Sequence, residues 1–334
     1  MRSLRARLRA GSPPAVASPS GEDPRLHLDL AHLQALEPHG AALRLLPRQP
    51  SRSVLNGRHA SRLRGRGLDF AELRGYLPGD DVRTLDWRVT ARTGAPHVRV
   101  YTEERDRPAL VVVDQRMSMF FGSRHAMKSV TAAEAAALAA FAVLAQGDRV
   151  GGVIVEDERL SEFRPRRQRP QLIRLLRCLA EANAALHAEA MTASPTSMDA
   201  VLASVAHLAR RDHLILLISD FDVIGPRTET LLGGLSRHND LVLMPVSDPL
   251  SEALPDDLRR VASDGHRQAT LDTAERPVRE ALEDVSARRR QILTDWQRRY
   301  GLALAPLSAG EPTLPQLRRL LGLGRRAAGG GHGR

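Results

Sequence analysis

The 334-residue chain carries a formal net charge of +10, with 42% hydrophobic, 26% charged and only 3% aromatic residues. That length and composition are ordinary for a soluble globular protein and allow one large domain or two modest ones, with a core built from Leu, Val and Ala. A lone cysteine, Cys178, excludes internal disulfides and thiolate metal clusters. The positive charge is spread along the chain as arginine, Lys128 being the only lysine, and no aromatic stacking platform interleaves it, which argues against nucleic acid as the main ligand.

In chain order, residues 1–24 read as a disordered tail rich in Arg, Pro, Ser and Gly. They lack the apolar centre of a signal peptide. No run of 18 apolar residues is evident, so the sequence predicts no membrane span and a cytoplasmic protein. Leucines at helical spacing predict a short helix over Asp29–Leu36. Residues 57–105 form a peculiar block with a strong turn at Leu77-Pro78-Gly79-Asp80-Asp81, and alternation returns in a half-buried strand at His97–Tyr101.

From residue 108 strands and helices alternate. Strands are predicted at 109–114, 149–155, 213–219, 241–246 and 302–307. Helices are predicted at 125–146, 170–182, 197–210, 226–237 and 276–299, the last read as a solvated face. Cys178 falls in the amphipathic stretch Leu172–Leu179 and reads as a packed thiol. The pattern implies an α/β protein with a doubly wound, mostly parallel sheet, preceded by an irregular motif segment with short strands. The expected division is 1–24 tail, 25–107 motif segment packing on the main domain, 108–322 main domain, and 323–334 flexible tail.

Two strands carry the chemistry. Val111-Val112-Val113 ends on Asp114, and Leu214–Ser219 is followed by Asp220. Ligands of open α/β sheets bind beyond the carboxyl ends of strands, and two carboxylates on one rim suit a hard divalent cation. Arg116 puts a fixed positive charge where a metal loop would want an oxygen. Bland alternatives stand beside this reading: Asp114 as a helix N-cap, Asp220 and Asp222 as solvated loop residues. The Gly57–Gly67 stretch has no Walker pattern, and the 12 histidines show no zinc spacing.

The stretch Gly67-Leu68-Asp69-Phe70-Ala71-Glu72-Leu73-Arg74-Gly75-Tyr76-Leu77-Pro78-Gly79-Asp80-Asp81, continuing through Asp86-Trp87 to Thr90-Ala91-Arg92, resembles the bacterial domain-of-unknown-function 58 family. Asp69 stands where that family usually has Glu. The resemblance covers about residues 50–322 and implies a von Willebrand factor A-like domain, which commonly bears a metal-ion-dependent adhesion site. On that resemblance Asp114 and Ser118 match its first loop, Thr196 the second and Asp220 the third. Arg116 stands in place of a serine hydroxyl.

Either Arg116 leaves the loop, admitting Mg²⁺ or Mn²⁺, or it replaces the ion and forks onto Asp114 or Asp220; replacement is the favoured expectation, with no cofactor. Arg74, Asp80, Asp81, Arg83, Asp86, Arg88 and Arg92 form either an ion-pair lattice or a partner-docking surface, with Tyr76 and Trp87 as core anchors.

No nucleophile, base and orienting group can be assembled, so the expected function is non-enzymatic protein interaction. The resemblance implies an adaptor or chaperone-like partner of a MoxR-type AAA+ ATPase, alongside other von Willebrand factor A-like proteins, in maturation of protein complexes. A partner carboxylate would then meet Arg116 directly. The alternatives are a metal-dependent hydrolase using Asp114, Asp220 and Asp222, or a nucleic-acid-binding protein.

Overall fold

Caps and short-range bonds open the chain's first elements. The computed structural model describes residues 23–43, 68–76, 85–103, 107–187, 195–251, 259–263, 268–272 and 276–322. Asp29 Oδ1 accepts from the His32 amide at 2.7 Å, starting α1 (Leu30–Ala35), and Pro38 sits in the first turn of α2 (Glu37–Ala41). Both helices pack on the main body. Further on, β1 (Leu68–Gly75) pairs antiparallel with β2 (His97–Glu103), with α3 (Trp87–Thr93) between them. The principal contacts of this unit are internal to it.

The main body runs β3 (Ala109–Asp114), α4 (Lys128–Ala145), β4 (Val150–Val155), β5 (Leu160–Arg166), α5 (Arg169–Ala184), α6 (Met198–Leu208), β6 (Leu214–Ser219), α7 (Pro226–Ser236) and β7 (Asp240–Ser247). A separate hairpin of β8 (Arg259–Ser263) and β9 (Gln268–Asp272) follows, then α8 (Arg276–Tyr300), β10 (Ala303–Leu304), β11 (Leu307–Ser308) and α9 (Thr313–Leu320). The sheet order is β10-β7-β6-β3-β4-β5, with β11 also against β7. Every pair in it is parallel except β4 with β5.

Strands β3, β4 and β6 are buried along their whole length because helices cover both faces. The two-residue period of β3 sends Val111 and Val113 to one face, with α1, α4, α5 and α9, and Leu110 and Val112 to the other, with α6, α7 and α8. Each fully buried Val or Leu contributes roughly 1.5–3 kcal/mol of transfer free energy. Helix α4 is 18 residues long and by composition apolar enough to cross a bilayer. In this fold it lies inside the core, where its alanines permit close approach to β3. From β3 the chain winds outward to β4, and from β6 in the opposite direction to β7. Strands β3 and β6 are neighbours, so the crevice beyond their carboxyl ends is the topological switch point.

Several expectations need revision. Trp87 is not a core anchor: it is 71% exposed. Helix α8 is not merely a solvated face, since Leu293 and Trp296 are buried in the apolar cluster that also holds residues of β6, β7 and α7. The expected strand at 302–307 is two short pieces divided around Ala305 and Pro306. Strand β5 was not foreseen, because the arginines and proline of Leu160–Arg166 hide its alternation at a sheet edge. The expected tails at 1–22 and 323–334 and the block at 57–67 lie outside the described residues.

Candidate functional site

Six chain segments converge at the switch point. Asp114, the last residue of β3, is 2% exposed and accepts four hydrogen bonds. Its Oδ1 accepts from the Arg116 backbone amide at 3.0 Å and from Arg116 Nε at 2.9 Å. Its Oδ2 accepts from Arg116 Nη2 and from Ser219 Oγ, both at 2.6 Å. Arg116 therefore curls back over two residues into a bidentate fork, the strongest geometry available to a guanidinium and carboxylate. Its Nη1 donates to the Thr196 carbonyl at 2.9 Å, which ties in the loop preceding α6.

The second carboxylate has its own cation. Lys128 Nζ, from the first turn of α4, lies 2.7 Å from Asp220 Oδ2. Ser118 Oγ donates to Asp220 Oδ1 at 3.4 Å and the Asp222 amide does so at 3.2 Å. Arg289 of α8 reaches over the same loop, donating to the Asp220 carbonyl at 3.4 Å and to Asp222 Oδ1 at 2.6 Å. Burial works against charge on Asp220, but Lys128, with Arg116 and Arg289, outweighs it and holds the carboxyl below the usual range.

Asp157, in the turn between β4 and β5, braces the loop from a third side. Its Oδ2 accepts from the Met117 amide at 3.0 Å, and its carbonyl accepts from the Thr196 amide at 2.6 Å and Thr196 Oγ1 at 2.9 Å. Burial pushes this carboxyl up, only partly opposed by the Met117 amide and Arg116. Behind the loop, Gln115 accepts from Asn183 Nδ2 at 2.9 Å, and Asn183 Oδ1 accepts from the Leu28 amide at 2.9 Å. His27 stacks on Phe120 with ring centroids 5.4 Å apart.

The residues expected at the rim, Asp114, Arg116, Ser118, Thr196 and Asp220, are thus together, with three departures. Asp114 caps no α-helix; its oxygens serve Arg116 and Ser219. Thr196 contributes its carbonyl, while its hydroxyl is turned to Asp157. Arg116 is 5% exposed with all three nitrogens engaged, so a partner carboxylate cannot meet it directly.

As arranged, the donor set does not fit a divalent ion: both Asp114 oxygens and both Asp220 oxygens already face cationic or hydroxyl donors, and Thr196 Oγ1 points to the Asp157 carbonyl. Ser219, Asp157, Lys128 and Arg289 were missed. The one available signal was Lys128, a single lysine in an arginine chain.

Of the expected partner surface, Arg92 is exposed on α3. Asp86 is not a surface group: it is 7% exposed, and its Oδ1 caps α3 by accepting from the Arg88 and Val89 amides at 3.0 and 3.1 Å. The Arg74 side chain, Asp80, Asp81 and Arg83 lie outside the described residues. Around the sealed cluster the rim is apolar in places. Phe121, in the loop leaving β3, is 44% exposed and Val223, in the loop leaving β6, 72%.

The chain as a whole is similar to several known proteins. The family model described as "Protein of unknown function DUF58" matches residues 72–292. The uncharacterized protein Rv1480 of Mycobacterium tuberculosis (strain ATCC 25618 / H37Rv) is 30% identical over 329 residues, covering 96% of each chain. The uncharacterized protein Mb1516 of Mycobacterium bovis gives the same figures, 30% and 96%. Among solved structures, the conserved hypothetical protein BatB from Bacteroides thetaiotaomicron is 8% identical with a TM-score of 0.39, covering 64% of this chain and 95% of that one.

Proposed function

Because this chain belongs to the DUF58 family of proteins of unknown function, we propose that it is a non-enzymatic, cytoplasmic protein-interaction module with a von Willebrand factor A-like domain whose adhesion site is degenerate. The observation that carries this reading is the Arg116 fork on Asp114, Nη2 to Oδ2 at 2.6 Å. A guanidinium held by the carboxylate that would ligate a metal ties the rim loops together without one. The Lys128–Asp220 pair acts in the same sense on the neighbouring strand. Neither carboxylate is then available as a base or as a metal-bound activator of water, which weighs against the hydrolase alternative.

On this reading the partner is a MoxR-type AAA+ ATPase, served by an adaptor or chaperone-like role in maturation of protein complexes. Contact is made by shape and apolar burial around the sealed cluster, through Phe121 and Val223, rather than by a bridging ion. Apolar groups at the centre of an interface carry affinity once water is excluded by their neighbours.

The test is calorimetry between the full chain and such an ATPase in nucleotide-free buffer containing a chelator. Binding is expected with the wild type and at least tenfold weaker with Phe121→Ser combined with Val223→Ser. Binding that requires Mg²⁺, or turnover of a phosphate ester that Asp220→Ala abolishes, overturns the reading.

A further inference from the structure

Among the described residues, helix α3 packs lightly and chiefly against β2. None of its residues is buried, and Trp87 is 71% exposed whereas the chain's other tryptophan, Trp296, is 4% exposed. Arg88, Ala91 and Arg92 are exposed beside it. The helix is held by polar bonds in place of apolar burial. Asp86 caps its start, and Gly94, at φ +74°, ends it with an amide bond to the Thr90 carbonyl. The His97 amide donates to Thr90 Oγ1 at 3.1 Å, pinning the helix to β2.

The exposed face has a definite chemistry. Trp87 and Ala91 are four residues apart, an aromatic next to a small side chain on one stripe. Arg88 and Arg92 have the same spacing, so two like charges stand on adjacent turns, and the helix carries no carboxylate of its own. Such a pair works against the isolated helix, and a counter-charge from outside relieves it. Tryptophan and arginine are the residue types that dominate protein-interface hot spots. Single exposed apolar residues are common, but a capped helix that buries no residue while presenting Trp87 beside a stripe of two Arg is a different object.

We propose that α3 is a docking helix that inserts Trp87 into an apolar pocket of a partner protein, with Arg88 and Arg92 meeting carboxylates on the pocket's border. This surface is separate from the rim loops, and the proposal rests on the adaptor reading above for the identity of the partner.

The test uses the full chain labelled with fluorotryptophan and a purified MoxR-type ATPase. Fluorine NMR sees Trp87 and Trp296 of the labelled chain only, and calorimetry gives the affinity. The Trp87 resonance is expected to shift and lose solvent sensitivity on binding while Trp296 stays put. Trp87→Ala is expected to weaken binding roughly thirtyfold or more, as is Arg88→Glu with Arg92→Glu, each with a thermal midpoint near the wild type.

Wild-type binding that Trp87→Ala leaves unchanged overturns the docking helix and leaves the adaptor reading standing. No binding by the wild type removes the adaptor reading and this inference with it. A Trp87 shift produced by duplex DNA and not by the ATPase overturns the protein partner in favour of nucleic acid.

Discussion

Lys128 Nζ sits 2.7 Å from Asp220 Oδ2, so the chain's one lysine neutralises a carboxylate that is 4% exposed. An ammonium is a compact point charge on a flexible stem, whereas the Arg116 fork is planar and already spans Asp114. Replacing Lys128 by Met strands a buried carboxylate, and breaking a buried pair in this way costs about 3–5 kcal/mol. The sign with pH follows from the direction of the shift. Asp220 titrates below its unfolded value of 3.8, so its contribution is present above that pH and fades as pH falls through the lower folded value. In Lys128→Met the carboxyl instead titrates higher, and stability is lost at neutral pH. Urea denaturation at pH 7 and pH 5 separates the two, with the variant expected to recover part of its deficit at pH 5.

A second prediction concerns metal. Removing Arg116 alone leaves Lys128 on Asp220, so one cation still occupies the rim. Titration of Mg²⁺ or Mn²⁺, followed by thermal shift, is expected to give no saturable response with the wild type and little with Arg116→Ser. The double variant Arg116→Ser, Lys128→Ala is expected to respond most, because both carboxylates are then free to face a hard cation. A saturable response in the wild type contradicts the role assigned to Arg116.

Legibility followed the source of each element's stability. The apolar runs at 109–114 and 214–219 announced buried strands, and their terminal aspartates announced the rim, because burial on both faces leaves a continuous hydrophobic signal. That Arg116 would stand in place of a cation was the favoured expectation, but its choice of Asp114 over Asp220 depends on the fold, which gives Asp220 to Lys128. Strand β5 was hidden because an edge strand is specified by its neighbour β4 more than by its own residues. Trp87 was misread because large aromatics are usually buried, and nothing in the local sequence shows that it is exposed. Thr196 lies at the rim, but its hydroxyl, expected to face the site, is turned to the carbonyl of Asp157, a residue 39 positions away, and its own carbonyl meets Arg116 instead.

A third prediction comes from the tie among α1, α4 and α9. Glu134 Oε1 lies 2.7 Å from His32 Nε2, and its Oε2 accepts from Thr313 Oγ1 at 2.6 Å. His32 is raised above 6.5 by that hydrogen bond against a smaller opposing effect of burial. Burial works against the charged form of Glu134, but His32 and Thr313 hold it below 4.5. The His32 contribution is complete below 6.5 and disappears as pH rises through its higher folded value; that of Glu134 is present above 4.5 and fades below it. Their joint maximum lies in mildly acidic solution. Because His32 is partly open to solvent, the effect is under about 1 kcal/mol. The wild type is expected to lose urea midpoint between pH 6 and pH 8 more than His32→Asn does; parallel curves remove the assignment.

A glycine of β4 with neighbouring backbone where a side chain would stand gives the last prediction. A Cβ on Gly151 would stand 2.3 Å from the Phe163 carbonyl oxygen and 2.6 Å from the Pro165 nitrogen, both backbone atoms. It lies where the β4–β5 register shifts between Val150 and Gly152. Backbone cannot swing aside as a flexible side chain can, so Gly151→Ala must push β5 off the sheet edge. The cost is expected near the upper end of the usual 1–3 kcal/mol for overpacking. Strand β5 leads through the turn containing Asp157, whose Oδ2 holds the Met117 amide in the loop of Arg116. Displacing the edge therefore reaches the rim. Hydrogen exchange is expected to quicken first along Leu160–Arg166 and then at Met117, while β7 keeps its protection; uniform loss across the sheet indicates global destabilisation instead.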